Sequence, residues 1–302
     1  VVQAEAQQVI ELEPGLRVVR ASNPSPMTFS GTNTYLLGQR DIAVIDPGPN
    51  LDMHLEAILS ALQPGQRVTH IAVTHSHLDH SALAVRLAEE VGAPTYGFGP
   101  WDAGRSALMT EMLEAGLDLG GGEGVDKCFI PNIRLCDRET IQMDGETLVA
   151  LWTPGHMSNH LSFQWGGRIF TGDLVMGWAT SLISPPDGDL AAFLQSCRTL
   201  AGLNSDRLYP AHGQPIKNPN ARIDWLVEHR RRRHAQILKT LSRDVMSLSE
   251  IAREIYHDLP PLMLPVAKRN VFAHLIKMHQ DAEIVAAPHL SPQANFTLRQ
   301  NA

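Results

Sequence analysis

Thr74-His75-Ser76-His77-Leu78-Asp79-His80 is the stretch of this chain whose residue types and spacing most directly suggest chemistry. Imidazoles and a carboxylate set this close together offer lone pairs suited to zinc, iron or manganese. The segment follows residues 68–74 (VTHIAVT), a near-continuous apolar run that reads as a buried strand. A strand end is where a rigid scaffold hands side chains to a working loop. If strand geometry persists, His75 and His77 project to the same side. Asp79 and His80 come after the turn and can face a second point nearby.

One ion needs three or four ligands, so the motif asks for more donors. The chain supplies them in similar settings. Thr153-Pro154-Gly155-His156 follows a strand expected at 147–152. Phe170-Thr171-Gly172-Asp173 and Tyr209-Pro210-Ala211-His212-Gly213 also close strand-like runs. Each combines a strand end, a small or turn residue and a ligand-type side chain. Packing needs alone do not produce that recurrence.

The elements that must position these residues read as an α/β layered core. Short strands are expected at 16–20, 34–37, 42–45, 68–74 and 94–98, with helices at 51–62 and 81–91. Five glycines between 116 and 125 suggest a mobile loop. It is not a phosphate-binding loop, because no Gly-Lys-Ser/Thr follows. Strands resume at 147–152 and 161–171, where Gly166-Gly167 marks a hairpin turn, then a helix at 189–201 and a strand at 207–209. Beyond Pro219 the pattern changes to helices at 221–242, 248–258 and about 264–280. A hairpin follows at 284–287 and 296–298. Three helices and a terminal hairpin suggest a winged-helix unit.

In order and setting, these motifs resemble the metallo-β-lactamase fold superfamily of binuclear metal hydrolases over residues 17–213. Asn23-Pro24-Ser25-Pro26-Met27-Thr28 and Gly31-Thr32-Asn33-Thr34-Tyr35 are similar to its lactamase-beta-2-like branch, which carries a C-terminal winged helix and is related to glyoxalase II. The resemblance implies a four-layer αββα sandwich over residues 1–219 and a winged-helix-like domain over 220–302. It also implies a ligand set. His75, His77 and His156 would hold one metal, Asp79, His80 and His212 a second, and Asp173 would bridge them. The metals would be two divalent ions, zinc first, with iron or manganese as alternatives. Ala211 stands where the family usually has Gly, Met157 where Thr is common, and Ser25 where Gly is usual. These departures concern pocket shape rather than ligands.

Such a site would lower the pKa of a bridging water toward about 7, and the resulting hydroxide would attack a carbonyl carbon or a phosphorus. Asp79, the expected catalytic residue, would orient the hydroxide and take its proton. The leading substrate expectation is a small ester or thioester. The alternative is single-stranded RNA, an activity implied for some members of the branch. A net charge of −7, from 25 basic and 32 acidic residues, weakens the RNA reading. A non-enzymatic ligand-sensing regulator is disfavoured because no ligand position is lost.

Several residues invite simpler readings. His54, His70, His229, His234, His257, His274, His279 and His289 read as surface or satisfied core histidines. His160 is either a hydrogen-bonded loop residue or a contact behind the ligands or to substrate. Asp46 is expected to cap a turn behind the site. Thr180 and Ser181 either contact substrate or fill a loop. Arg230 to Arg233 point in four directions on a helix and read as a solvated surface. Arg222, Lys239 and Arg243 would extend a basic stripe if RNA were bound.

Composition excludes other classes. With 43% hydrophobic and 19% charged residues, the chain is neither disordered nor a coiled-coil rod. Cys128, Cys136 and Cys197 are too few for a disulfide framework and read as reduced thiols. No apolar run reaches the roughly 18 residues of a membrane span, and no signal peptide is visible at 1–12, so a cytoplasmic location is expected.

Overall fold

The computed structural model describes residues 8–299. Two sheets form the larger part. The first has seven strands: β1 (Val9–Glu13), β2 (Leu16–Arg20), β3 (Asn33–Leu37), β4 (Asp41–Ile45), β5 (Arg67–Ala72), β6 (Thr95–Gly97) and β7 (Ile133–Arg134), in sequential order. It is antiparallel from β1 to β4 and parallel from β4 to β7. The second has five strands: β8 (Thr140–Met143), β9 (Glu146–Trp152), β10 (Leu161–Trp165), β11 (Arg168–Gly172) and β12 (Arg207–Pro210), with β12 parallel to β11.

Side-chain alternation along the strands explains the layering. Leu16, Val18, Tyr35, Leu37, Ala43 and Ile45 leave one face of the first sheet and meet Leu148, Ala150, Phe163 and Phe170 of the second. The residues between them face outward. Leu36, Ile42, Val44 and Ile71 pack under the helices α1 (Asp52–Ser60) and α3 (Ala84–Val91), with the one-turn helix α2 (Leu78–Ser81) between them in sequence. Leu151, Ile169 and Leu208 pack with Phe193, Cys197 and Leu200 of α5 (Leu190–Gly202), while α4 (Ala107–Glu114) lies elsewhere. Strands buried on both faces read as apolar runs, as in β4 (DIAVI). The result is four layers, helix–sheet–sheet–helix, and the α/β expectation stands.

The C-terminal part contains α6 (Pro219–Leu241), the strand β13 (Met246–Ser247), α7 (Leu248–Ile255), α8 (Leu264–Gln280) and the hairpin β14 (Ile284–Ala287) and β15 (Asn295–Leu298). These strands form a three-stranded sheet in the order β13-β15-β14. Ser247 caps α7 with a full capping box to Glu250. This arrangement matches the expected winged helix. Its core is shared with the first part: Met109, Met112 and Leu119 pack in one cluster with Ile237, Phe272 and Phe296.

Three expectations need correction. The helix expected at 81–91 is two helices, α2 and α3, because a single turn carries Asp79 and His80 before the chain bends. Arg230 is not solvated. It is 3% exposed, donates to Ser181 O and Asn270 Oδ1, and lies over the Phe193 ring. Arg222 likewise donates to Met176 O and Ala179 O, both at 2.6 Å, so it braces a loop and does not extend a free basic stripe. The remaining arginines of the run do reach the surface, with Arg232 paired to Glu228. His274 is a fourth exception: it is buried, yet neither ring nitrogen has a hydrogen-bond partner among the described residues.

Cys128 and Cys136 are exposed, Cys197 is buried, and all three are free thiols. Among the described residues, no helix is long and apolar enough to cross a membrane.

Candidate metal centre

The two sheets bring their strand ends to one edge. β4 and β5 are parallel, and β9, β11 and β12 share one direction because β10 is antiparallel to both β9 and β11. The segments leaving β5, β9, β11 and β12 carry His75, His156, Asp173 and His212 respectively. Backbone hydrogen bonds stitch this edge together: Leu161 N donates to Thr74 O at 2.7 Å, Asn33 N to Ala211 O at 2.7 Å, and Ala211 N to Gly172 O at 3.0 Å.

All seven expected ligand residues converge there. Three overlapping groups form, each with donor atoms within 4.8 Å of one another: His75, His77 and His156; Asp79, His80 and His212; and His75, His80 and Asp173. His77 Nδ1 lies 2.8 Å from His75 Nε2 and 3.1 Å from His156 Nε2. His212 Nε2 lies 3.2 Å from Asp79 Oδ2 and 3.3 Å from Asp173 Oδ1. His80 Nε2 lies 3.4 Å from Asp79 Oδ2 and 3.7 Å from Asp173 Oδ2. His156 Nε2 lies 3.7 Å from Asp173 Oδ2 as well, so Asp173 stands between the groups.

The outward nitrogens of these rings are held from behind, which fixes the nitrogen turned inward. His156 Nδ1–H donates to Leu182 O at 2.8 Å and His212 Nδ1–H to Gly31 O at 3.2 Å. His80 Nδ1 bonds Asp46 Oδ2 at 2.9 Å. Asp46 does more than cap a turn. It sits at φ 52° just after β4 and also accepts from Thr74 N at 2.7 Å and Thr74 Oγ1 at 2.8 Å. It therefore ties the ends of β4 and β5 to a ring of the cluster. Sequence reasoning underrated it, although Asp46 carried the signal used for Asp173: an acidic residue directly after a strand.

With no ion bound, the buried rings divide into neutral ones and ones charged by the carboxylates beside them. Burial pushes His75 well below its ordinary value, and the neighbouring His80 and His77 push it further. Burial takes His77 to about 3. Burial alone would raise Asp79 and Asp173, but His80 and His212 overcome it and hold both carboxylates well below their usual range. The converse holds for His212. Burial would lower it, and Asp173 and Asp79 carry it to about 9; Asp79, Asp173 and Asp46 likewise raise His80 against burial, so both rings hold protons that a bound cation would displace.

The donor set also passes a test of fit for positive ions. His80 Nε2 and Asp173 Oδ1 are buried without an aligned hydrogen bond, although charged groups stand 3.3–3.7 Å away. Buried polar atoms left this way are costly unless something binds them. Lone-pair nitrogens crowded at 2.8–3.1 Å repel one another unless a proton or cation lies between them. A divalent cation satisfies both demands.

A cavity of about 480 Å³ opens above the cluster. His77, Asp79, His156, Asp173 and His212 form its floor, while Met27, Met176, Trp178, Leu182 and Val266 supply apolar walls. Trp178 stacks on Phe29 with ring centroids 5.0 Å apart. The glycine-rich loop, expected to be mobile, forms part of the wall and is tied down. Leu78 N donates to Gly124 O at 2.8 Å and Gly122 N to Asp187 Oδ2 at 3.2 Å. Thr180 lines the cavity, whereas Ser181 is buried and donates to Leu174 O, so the two have separate roles. His160 is fully buried, bonds Thr153 Oγ1 at 3.0 Å and packs 5.2 Å from the His75 ring. It supports the cluster from behind. Arg269, Glu123 and Asp187 also line the cavity; Glu123 lies in the glycine-rich loop singled out above, whereas Arg269 and Asp187 come from segments that carried no sequence signal.

Known proteins agree with this picture. Residues 27–212 match the Metallo-beta-lactamase superfamily, and residues 247–287 match the Beta-lactamase associated winged helix domain. The chain is 27% identical to a Beta-lactamase-like protein 2 homolog of Caenorhabditis elegans, over 94% of this chain and 90% of that protein. It is 29% identical to an Atrochrysone carboxyl ACP thioesterase of Passalora fulva, over 83% of this chain and 71% of that protein. A metallo-beta-lactamase family protein from Thermus thermophilus shares the fold at TM-score 0.76 and 24% identity, with 96% of this chain and all (100%) of that one covered. A Beta-lactamase domain protein from Burkholderia ambifaria does so at TM-score 0.80 and 21% identity, covering 98% of this chain and 94% of that one. Strand-end histidines and aspartates, four layers and the two family matches lead to one conclusion: the chain belongs to the metallo-beta-lactamase superfamily and carries the winged helix associated with it.

Proposed function

We propose that this protein is a binuclear metal-dependent hydrolase of small esters or thioesters. The observation that carries this reading is the pair of donor groups, His75/His77/His156 and Asp79/His80/His212, with Asp173 between them at the floor of a largely apolar cavity. The first group would hold one ion, the second group another, and Asp173 would bridge. Two divalent ions supply an ionised water at neutral pH and Lewis acidity toward a polarised oxygen.

The chain's own residues do the rest. Asp79, held by His212 and within 3.4 Å of Thr32 Oγ1, is placed to accept a proton at Oδ2 and to orient the attacking oxygen. Asp46 fixes the His80 ring from behind. Leu182 O and Gly31 O fix His156 and His212. The apolar walls accept the acyl group and exclude bulk water from the carbonyl. A thioesterase among the relatives supports this substrate class.

Single-stranded RNA has less support. Arg222 and Arg230, the start of the expected basic stripe, are spent on internal carbonyls. The test compares hydrolysis of acyl thioesters with cleavage of end-labelled single-stranded RNA, using metal-loaded wild type and Asp79→Ala. The expected result is thioester turnover that falls by at least about 100-fold in the variant. RNA cleavage lost in Asp79→Ala, with no thioester turnover, would replace this reading by the nuclease one.

A further inference from the structure

We propose that Arg269 is the anion-recognition residue of this cavity, selecting esters or thioesters that carry a second, negatively charged group. The proposal rests on the hydrolase reading and adds a substrate class to it. Arg269 comes from α8 of the winged helix, so that domain would take part in substrate choice.

The placement is specific. Arg269 lines the catalytic cavity and also a second cavity of about 370 Å³, lined too by Lys268, Gly120 and Phe272. Arg269 is the residue that the two linings share. The Arg269 side chain is 16% exposed, and its Nε is buried without a hydrogen-bond partner. Its one ion-pair partner among the described residues is Glu123 Oε1, at 2.7 Å, on a side chain that is 68% exposed. The cation is thus built into the wall, while the carboxylate that meets it sits on the solvent side.

Glu123 behaves as an internal stand-in for a ligand anion. An ion pair with so exposed a partner is weak, being screened by water and salt, so a ligand carboxylate or phosphate can take its place. A guanidinium offers a planar fork that suits either. Only the Glu123 side chain has to swing aside, since the backbone on either side of it is held through Gly122 N and Gly124 O. An added Cβ at Gly122 or Gly124, which flank Glu123, would meet nothing within 4 Å, so both sides of Glu123 are open. Other acids facing the cavity do not repel the ligand. Asp187 is offset by Arg105 at 3.3 Å, while Asp79 and Asp173 belong to the metal centre.

The test is calorimetric titration of the metal-loaded full chain with inert probes. Linear dicarboxylates from glutarate to sebacate are each compared with the monocarboxylate of equal length. Both offer one carboxylate to the metals, but the dicarboxylate alone has another for Arg269. Coenzyme A against pantetheine asks the same question of a phosphate on the thiol carrier. At least one pair should show about ten-fold tighter binding of the more anionic probe, and that pair identifies the source of the anion. The preference should vanish in Arg269→Gln, persist in part in Arg269→Lys and grow in Glu123→Gln, which removes the competitor. The proposal is overturned if neither pair shows a preference. It is equally overturned if Arg269→Gln weakens both members alike, or if Glu123→Gln shrinks the preference, since the ion pair then only fastens the loop. Thioester turnover is scored separately. Its absence overturns the hydrolase reading, while the affinity ratios still decide the role of Arg269.

Discussion

Asp46 and His80 are 34 positions apart in sequence and 2.9 Å apart in space. The bond aims His80 Nε2 at the cluster and makes the ring a better donor. Asp46→Asn keeps the shape but removes the charge, and it should weaken metal affinity by about 10–100-fold in competition with a chelator. An unchanged affinity would show that Thr74 alone orients the strand end. A second residue tests the account of burial. Burial lowers His54 to about 4, from 6.5, while its Nε2 stays 2.8 Å from Thr34 Oγ1. Between those values the unfolded chain binds a proton that the folded chain refuses, so stability falls as pH falls from 6.5 to 4. The loss is roughly 3 kcal/mol when complete. Urea titrations across this window should show a shallower pH slope in His54→Gln than in wild type. An identical slope would contradict the account. The residues of the cluster were legible in sequence because they sit in the segments that leave β5, β9, β11 and β12. Asp46, Gly31 and Leu182 were not, because their roles lie in distances between segments.

At the scale of elements, two contacts set the cavity's shape. Gly155 precedes His156 at φ 144°, and a Cβ there would stand 2.4 Å from Phe193 Cα on α5. Gly155→Ala should cost more than about 2 kcal/mol and displace His156, read as a lower melting temperature together with weaker metal binding. Normal stability and binding would mean α5 gives way easily. Arg230 joins α6 to Ser181 O and to Asn270 of α8, behind the loop that follows Asp173. Arg230→Met leaves Ser181 O without its side-chain donor, while Asn270 Oδ1 keeps Ile183 N, and should lower stability by about 1–3 kcal/mol in denaturant unfolding. No change would mean water replaces the guanidinium fully. Sequence periodicity revealed the long apolar strands and helices. It missed β1, β7, β8, β13 and α4, since two-residue strands and half-exposed elements leave almost no pattern. It also misread Arg230, because a charged residue in a run gives no hint of a buried carbonyl partner.

For the whole molecule, the two family matches describe units that the structure shows sharing a core. Met109, Met112 and Leu119 from before the second sheet pack with Ile237, Phe272 and Phe296. The cavity is likewise composite, with a floor from strand ends and a wall from α8. The central claim is that two ions on this floor drive hydrolysis. Its most direct test is the thioester hydrolysis rate of metal-stripped protein as zinc, iron(II) or manganese(II) is added back in known equivalents. The account predicts almost no rate without metal and a rise that saturates at about two equivalents per chain. Full rate in the stripped protein, saturation at one equivalent, or no hydrolysis at any loading would contradict it.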